Sequence, residues 1–198
     1  MGMIMADSHP IRIKGNWDIG YALDFHIISS DFMGYNELDH PIFETQRSKL
    51  GELLYRFKYN SDKTVLDEIL RITLSFNKFR NIDVIIPVPP SKRSRSFQPV
   101  IEIAESLGKA CNIPVLPKAV QKIKSTPELK NVLTFEERSK ILENAFKITN
   151  TSIRNKRILL FDDIYRSGAT LNAVANVLYK KGNVSKVKVL VLTKTKRR

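Results

Sequence analysis

Two adjacent carboxylates, Asp162 and Asp163, follow the apolar run Ile158-Leu159-Leu160-Phe161 and precede Ile164-Tyr165-Arg166-Ser167-Gly168-Ala169-Thr170-Leu171. Four apolar residues make a buried strand, and acids at its end emerge at the carboxyl edge of a parallel sheet, where ligands sit. Gly168 lets backbone approach closely, and the N–H groups of the following helix start can hold a phosphate between the hydroxyls of Ser167 and Thr170. Carboxylates and phosphate cradle therefore lie within reach of one loop. Such a set suits a ligand with a phosphate at one end and hydroxyls or a metal a short distance away, as in a ribose 5-phosphate. The plainer alternative is that the acids end a strand and Ser167 caps a helix. It explains each feature singly but not the ordered set, because paired acids after a buried strand are costly unless something needs them.

The elements that must position these residues are legible from periodicity. Trp17, Ile19, Tyr21, Leu23, Phe25 and Ile27 alternate, which predicts a half-buried strand with Asp18, Asp24 and His26 on its other face. Leu50, Leu53, Leu54 and Phe57 predict a helix after a Thr45 cap, and Leu66, Ile69, Leu70 and Thr73 a second after Asp62. Ile82 to Val88 is a short β-branched run ending at prolines, as a fully buried parallel strand does. Val100, Ile103, Ala104 and Leu107 mark a helix, while the basic stretch from Lys118 to Leu133 predicts a long surface loop or irregular hairpin. Thr134 and Glu137 have capping-box spacing. A strand over Arg157 to Phe161, a helix over Ala169 to Lys181 and a strand over Val184 to Leu192 complete an α/β chain: a central, mainly parallel sheet flanked by helices. Residues 1–14 are expected to be loosely ordered, 15–80 to form an N-terminal hood or accessory segment, and 81–198 the core.

Composition narrows the function classes. At 198 residues, 42% apolar, the chain can bury a sizeable core. A single cysteine, Cys111, excludes an internal disulfide framework and an all-cysteine zinc site, and with no secretory core or spanning run the expected compartment is the cytoplasm, without a membrane partner. Cys111 follows an apolar helix and is expected to be buried and inert. The 33 Lys and Arg against 20 Asp and Glu give +13, which favours a negative partner: nucleic acid, a phosphate-rich metabolite or an anionic surface.

Ile158 to Leu171 resembles the phosphoribosyl-pyrophosphate (PRPP) binding motif of type I phosphoribosyltransferases, with four hydrophobics, two acids and a Ser-Gly-Ala-Thr loop in order. Ile85-Ile86-Pro87-Val88-Pro89-Pro90, Arg95-Ser96-Phe97, Thr126, Glu137-Arg138 and Ala145-Phe146 resemble the ComF-like branch in order and approximate spacing, with weaker likeness over Arg47 to Tyr59. The resemblance implies the phosphoribosyltransferase fold with its N-terminal hood. It implies that Asp162 and Asp163 bind the ribose hydroxyls, directly and through magnesium-bound water, so Mg²⁺ is the implied cofactor. It further implies that Ser167, Gly168, Ala169 and Thr170 hold the 5-phosphate, with Arg166 beside them, and that Pro90, Ser91, Lys92 and Arg93 form the pyrophosphate loop. Catalysis would fall to Asp162 and Asp163, which face positive charge developing on the sugar. The basic stretch with Lys122, Lys124 and Lys130 would close as a flap, and a homodimer is the implied assembly.

Departures bear on the acceptor. ComF-like proteins usually begin with a cysteine-rich zinc segment, which one cysteine cannot build. Arg166 stands where purine-salvage enzymes place an acid, and an always-protonated guanidinium cannot act as a base, so purine salvage is disfavoured. The lysine-rich flap motif of orotate enzymes is not found. A nucleophile built on His26, Ser29 and Ser30, and metal sites built on Asp24 with His26 or Asp39 with His40, are outweighed by ordinary structural roles. The sequence therefore implies a phosphoribosyltransferase transferring from PRPP to an unidentified nitrogenous acceptor. The alternative is a non-catalytic PRPP- or nucleotide-binding regulator, or a DNA-associated accessory protein of competence or repair type on the same fold.

Overall fold

The structure is a computed structural model that describes residues 9–76, 78–90, 97–124, 134–142 and 144–196. Its centre is β8 (Arg157–Tyr165), whose Ile158–Phe161 stretch is buried on both faces. On one side β8 pairs in parallel with β9 (Lys186–Lys194), which pairs in parallel with β2 (Ile19–Phe25). On the other side it pairs with β5 (Val84–Pro87), giving the order β1-β2-β9-β8-β5 with the short β1 (Ile11–Arg12) antiparallel at the edge.

Alternation along each strand sends successive side chains to opposite faces. Ile158 and Leu160 pack on α5 (Ala169–Lys180) through Val174, Ala175 and Leu178. Leu159 and Phe161 pack instead with α1 (Lys49–Tyr59), α2 (Leu66–Ser75) and α3 (Pro99–Cys111), against Leu54, Phe57, Ile69 and Ile103. The same parity, carried two residues further, turns Asp162 towards the α5 side and Asp163 towards α1.

Several expectations are corrected. The strand predicted from Trp17 is shorter and not half-buried: β2 lies inside the sheet, so both its faces are covered and Asp24 is buried. Thr45 does not cap α1, because β4 (Pro41–Arg47) runs through it and pairs it with Ser30 of β3 (Ile27–Tyr35). Ser48 is the cap, accepting from Gly51 N–H at 3.0 Å and donating to the Phe25 carbonyl at 2.5 Å. Asp62 starts a 3₁₀ turn, Lys63–Val65, that leads into α2. Part of the predicted loop is β6 (Val120–Lys122), antiparallel to β7 (Phe146–Ile148). Thr134 and Glu137 form the expected reciprocal cap of α4 (Phe135–Ile141), at 3.1 and 3.2 Å.

Cys111 is exposed, not buried. The chain reverses at left-handed Asn112, Ile113 N–H bonds the Gly108 carbonyl, and Val115 rather than Cys111 covers the end of the helix stripe. The 15–80 stretch contributes β2 to the central sheet and α1 and α2 to its core, while the β3–β4 hairpin alone projects with both strands largely exposed. No helix among the described residues is long and apolar enough to cross a membrane.

Candidate phosphoribosyl site

The parallel strands β2, β9, β8 and β5 end on one edge, and β8 continues its pairing with β9 as far as Tyr165. The two acids thus lie within the strand rather than beyond it. Asp163 is 8% exposed, and Lys58 Nζ, near the end of α1, donates to its Oδ2 at 2.5 Å. Burial alone would depress the Lys58 ammonium, but the Asp163 carboxylate more than offsets this and raises it above the ordinary lysine value. Asp162, partly buried on the other side, accepts the Asp163 backbone N–H on Oδ1 at 2.9 Å. Burial, and next the neighbouring Asp163 charge, push its carboxyl well above the usual range. The acids are neighbours in charge but not in partners.

A hydrogen-bonded chain extends from Asp163. Thr193 Oγ1 donates to the Asp163 carbonyl at 3.3 Å and lies 3.2 Å from His26 Nδ1. A hydroxyl that donates to the carbonyl must accept from the imidazole, which assigns the His26 proton to Nδ1. His26 is held below its ordinary value by burial first and by the Arg47 charge second, against a raising effect from Asp163. Arg47 stacks its guanidinium 3.9 Å above the Tyr55 ring, and its buried Nε has no hydrogen-bond partner among the described residues. Ser29 and Ser30 pair across the hairpin with Gln46 and Thr45, both at 3.4 Å, so they form no triad with His26.

The predicted phosphate cradle is a turn over Arg166–Gly168 leading into α5. Gly168 has φ +80°, and a Cβ there would meet Tyr165 Oη at 2.8 Å, so the position requires glycine on both counts. Ala169 N–H reaches Ser167 Oγ at 3.5 Å, and Ala169, Thr170 and Leu171 supply the first-turn N–H groups of the helix. Asn172 braces the turn by donating its side-chain amide to the Gly168 carbonyl at 2.9 Å, while its Oδ1 accepts Asn16 N–H at 2.8 Å. Arg166 is exposed at the rim.

Of the predicted pyrophosphate loop, Pro90 stands just beyond the end of β5, while Ser91, Lys92 and Arg93 lie outside the described residues, as do Thr126 and Lys130. Lys58, His26 and Arg47 were missed by sequence reasoning as members of the site. The faint likeness over Arg47 to Tyr59 is the signal that could have found two of them.

The residues fit magnesium only in a restricted way. Among the described residues no group of three or more His, Cys, Asp or Glu side chains gathers to hold a metal, and Asp163 is engaged by Lys58. The available protein ligand is Asp162, with any further oxygens coming from substrate and water, as suits an ion that keeps part of its hydration shell.

A mainly parallel sheet flanked by helices, whose central strand carries an acid pair and turns through a left-handed glycine into a helix, is the α/β arrangement the sequence predicts. No family model matches the chain. It is 26% identical over 157 residues to competence protein ComFC of Bacillus subtilis, covering 76% of this chain and 62% of that protein. It is 27% identical over 145 residues to competence protein F of Haemophilus influenzae, covering 67% of this chain and 63% of that protein. The chain therefore spans less than two thirds of the length of either relative. Among solved structures it aligns with adenine phosphoribosyltransferase of Thermoanaerobacter pseudethanolicus at 12% identity and a TM-score of 0.45, over 83% of this chain and 95% of that one. With the Leishmania tarentolae enzyme the figures are 12%, 0.46, and 94% of each chain. In sequence, then, the chain is similar to these two competence proteins.

Proposed function

We propose that this chain binds PRPP at the carboxyl edge of its sheet and transfers the phosphoribosyl group to a nitrogenous acceptor, releasing pyrophosphate. The observation that carries the reading is the turn from Tyr165 to Thr170, in which a glycine at φ +80° opens helix-start N–H groups next to the acid pair. The 5-phosphate would lie on Ser167, Gly168, Ala169 and Thr170. Asp162, on the α5 side with that turn, would face the ribose hydroxyls, and Asp163 would act through its pairing with Lys58.

In the transfer, the C1–O bond to pyrophosphate breaks with the electron pair leaving on oxygen, a C1–N bond forms, and the acceptor N–H proton passes to solvent. The anionic site opposes the positive charge that builds on the sugar, and exclusion of water protects it from hydrolysis. Bound magnesium would neutralise the leaving pyrophosphate, with Asp162 as its protein ligand through water. Pro90, Ser91, Lys92 and Arg93 are proposed for the pyrophosphate end.

Isothermal calorimetry with PRPP, with and without Mg²⁺, tests binding, and pyrophosphate release over a panel of bases and small amines tests turnover. Asp162→Asn combined with Asp163→Asn is expected to abolish PRPP binding with the far-UV circular dichroism unchanged; unaltered affinity would reject the site.

A second reading, binding without transfer in a DNA-associated role, is favoured by a separate feature. Lys194 Nζ lies 5.9 Å from both the Phe25 and Tyr165 ring centres, and Lys196 Nζ is 5.3 Å from Phe25, interleaving cations with aromatic faces as single-stranded nucleic acid binders do. PRPP binding without turnover, together with salt-sensitive binding of single-stranded DNA, would favour it.

A further inference from the structure

We propose that a cavity alongside α5 is a binding site for a nucleoside phosphate, separate from the candidate phosphoribosyl site. The cavity has a volume of about 510 Å³ and lies between α5 and the segment from Lys140 to Phe146, with Asn16 also lining it. A volume in this range suits a ligand of nucleotide size. On α5 the lining residues Asn172, Ala173, Asn176, Val177 and Lys180 recur at the three- and four-residue spacing of one helix face. Asp162, Asp163, Ser167, Gly168 and Thr170 do not line it, so it is not the mouth of the proposed PRPP pocket.

Three kinds of lining group match three parts of such a ligand. Leu142, Phe146 and Val177 are buried and apolar, and the small Ala173 leaves room beside them for the flat face of a base. Carboxamides supply the polar groups. Asn16 N–H donates to Asn172 Oδ1 at 2.8 Å and Asn16 Nδ2 to Asn176 Oδ1 at 3.1 Å, while Asn172 Nδ2 is spent on the Gly168 carbonyl. The Asn16 carbonyl oxygen and the Asn176 amide nitrogen are left without a partner among the described residues. One acceptor and one donor, on two amides in contact, are what the hydrogen-bonding edge of a base requires.

Charge supplies the third match. Lys140, Lys180 and Lys181 line the cavity, and no acidic side chain among the described residues does. Lys180 and Lys181 make no ion pair with a described residue. A helix C-terminus favours cations, which accounts for these two but not for Lys140, which comes from α4. Ammonium groups brought from two elements to one concave surface repel each other unless an anion joins them, and a phosphate chain meets that need. A polymer would need a basic groove that tracks its backbone beyond the site, whereas here the cations gather at one cavity, which favours a free nucleotide.

Isothermal calorimetry of the full chain with ADP, GDP, CDP and UDP in turn, without magnesium, reads the site. At least one is expected to bind with a dissociation constant below about 1 mM, more weakly as salt rises. Lys180→Glu with Lys181→Glu is expected to weaken that binding by roughly tenfold or more, with an unchanged melting temperature. Ala173→Phe fills the cavity without altering its charge and is expected to abolish binding. Asp162→Asn with Asp163→Asn is expected to leave it in place, which keeps this proposal and the PRPP reading independently testable. Silence of all four nucleotides with the wild-type chain would overturn the proposal, as would affinity unchanged in both cavity variants or lost only in the aspartate variant. Oligothymidylate is titrated alongside: binding of it alone, lost in the lysine variant, would assign these cations to nucleic acid and reject the nucleotide site.

Discussion

Lys58 shows how a residue joins a candidate site through its surroundings. Its Nζ is 2.5 Å from Asp163 Oδ2, with the two side chains 21% and 12% exposed, so the pair is largely withdrawn from water. Removing one partner leaves the other charge poorly solvated, which costs more than the pair itself contributes. Lys58→Met is therefore expected to lower stability by about 1–3 kcal/mol, in line with charge-assisted hydrogen bonds, measured by urea denaturation at neutral pH. Because folding raises the Lys58 value, its contribution is complete below the ordinary lysine range and is lost as pH climbs through the raised value. Wild type and variant should thus converge in strongly alkaline solution. Phosphoribosyl ligands should also bind the variant differently, since Asp163 would lose its compensating cation.

At the scale of elements, the β8–turn–α5 unit is the most local part of the site. The strand supplies buried Ile158–Phe161, parity separates the two acids, and the helix starts where Gly168 adopts φ +80°. Gly168→Ala forces a Cβ to 2.8 Å from Tyr165 Oη in a backbone region that alanine avoids. A loss of about 1–3 kcal/mol in stability is expected, read as a lower melting temperature. Ribose 5-phosphate affinity should fall as well, because the turn must open to relieve the contact; retained affinity would argue that the turn does not hold the phosphate.

For the whole molecule, the decisive fact is that the amino-terminal third is woven into the sheet. β2 pairs with β9 from Ile19↔Lys188 to Phe25↔Lys194, and α1 and α2 cover Leu159, Phe161, Leu190 and Leu192. Each fully buried large apolar side chain stabilises the fold by roughly 1.5–3 kcal/mol, so exposing one whole face exceeds the marginal stability of a domain. A chain of residues 81–198 alone is expected to remain unfolded, shown by collapsed amide dispersion in its nuclear magnetic resonance spectrum. Well-dispersed resonances would mean that the carboxy-terminal part folds independently.

Much of this was legible in local pattern. Apolar runs and capping residues are read over a few positions, so the strands β5, β8 and β9, the helix α5, the Thr134–Glu137 cap and the Asp162–Thr170 order could be taken from the chain directly. Strand ends were less legible: β8 runs to Tyr165 because β9 pairs with it there, a non-local hydrogen-bond ladder that no window on β8 contains. Cys111 and Asp24 went astray for a related reason, since burial depends on what the reversing chain or a neighbouring strand lays over a face. The amino acid order by itself determined the acid pair, the glycine that turns after it and the excess of basic charge. Tertiary structure decided which partner each acid meets, because α1 and β8 are separated by a hundred residues of chain and are joined only through a shared core. It also decided that Lys58 pairs with Asp163, that His26 is linked to it through Thr193, and that an acidic aromatic hairpin is left largely exposed. Those outcomes depend on which surfaces pack together, a property of the assembled fold and not of any one segment.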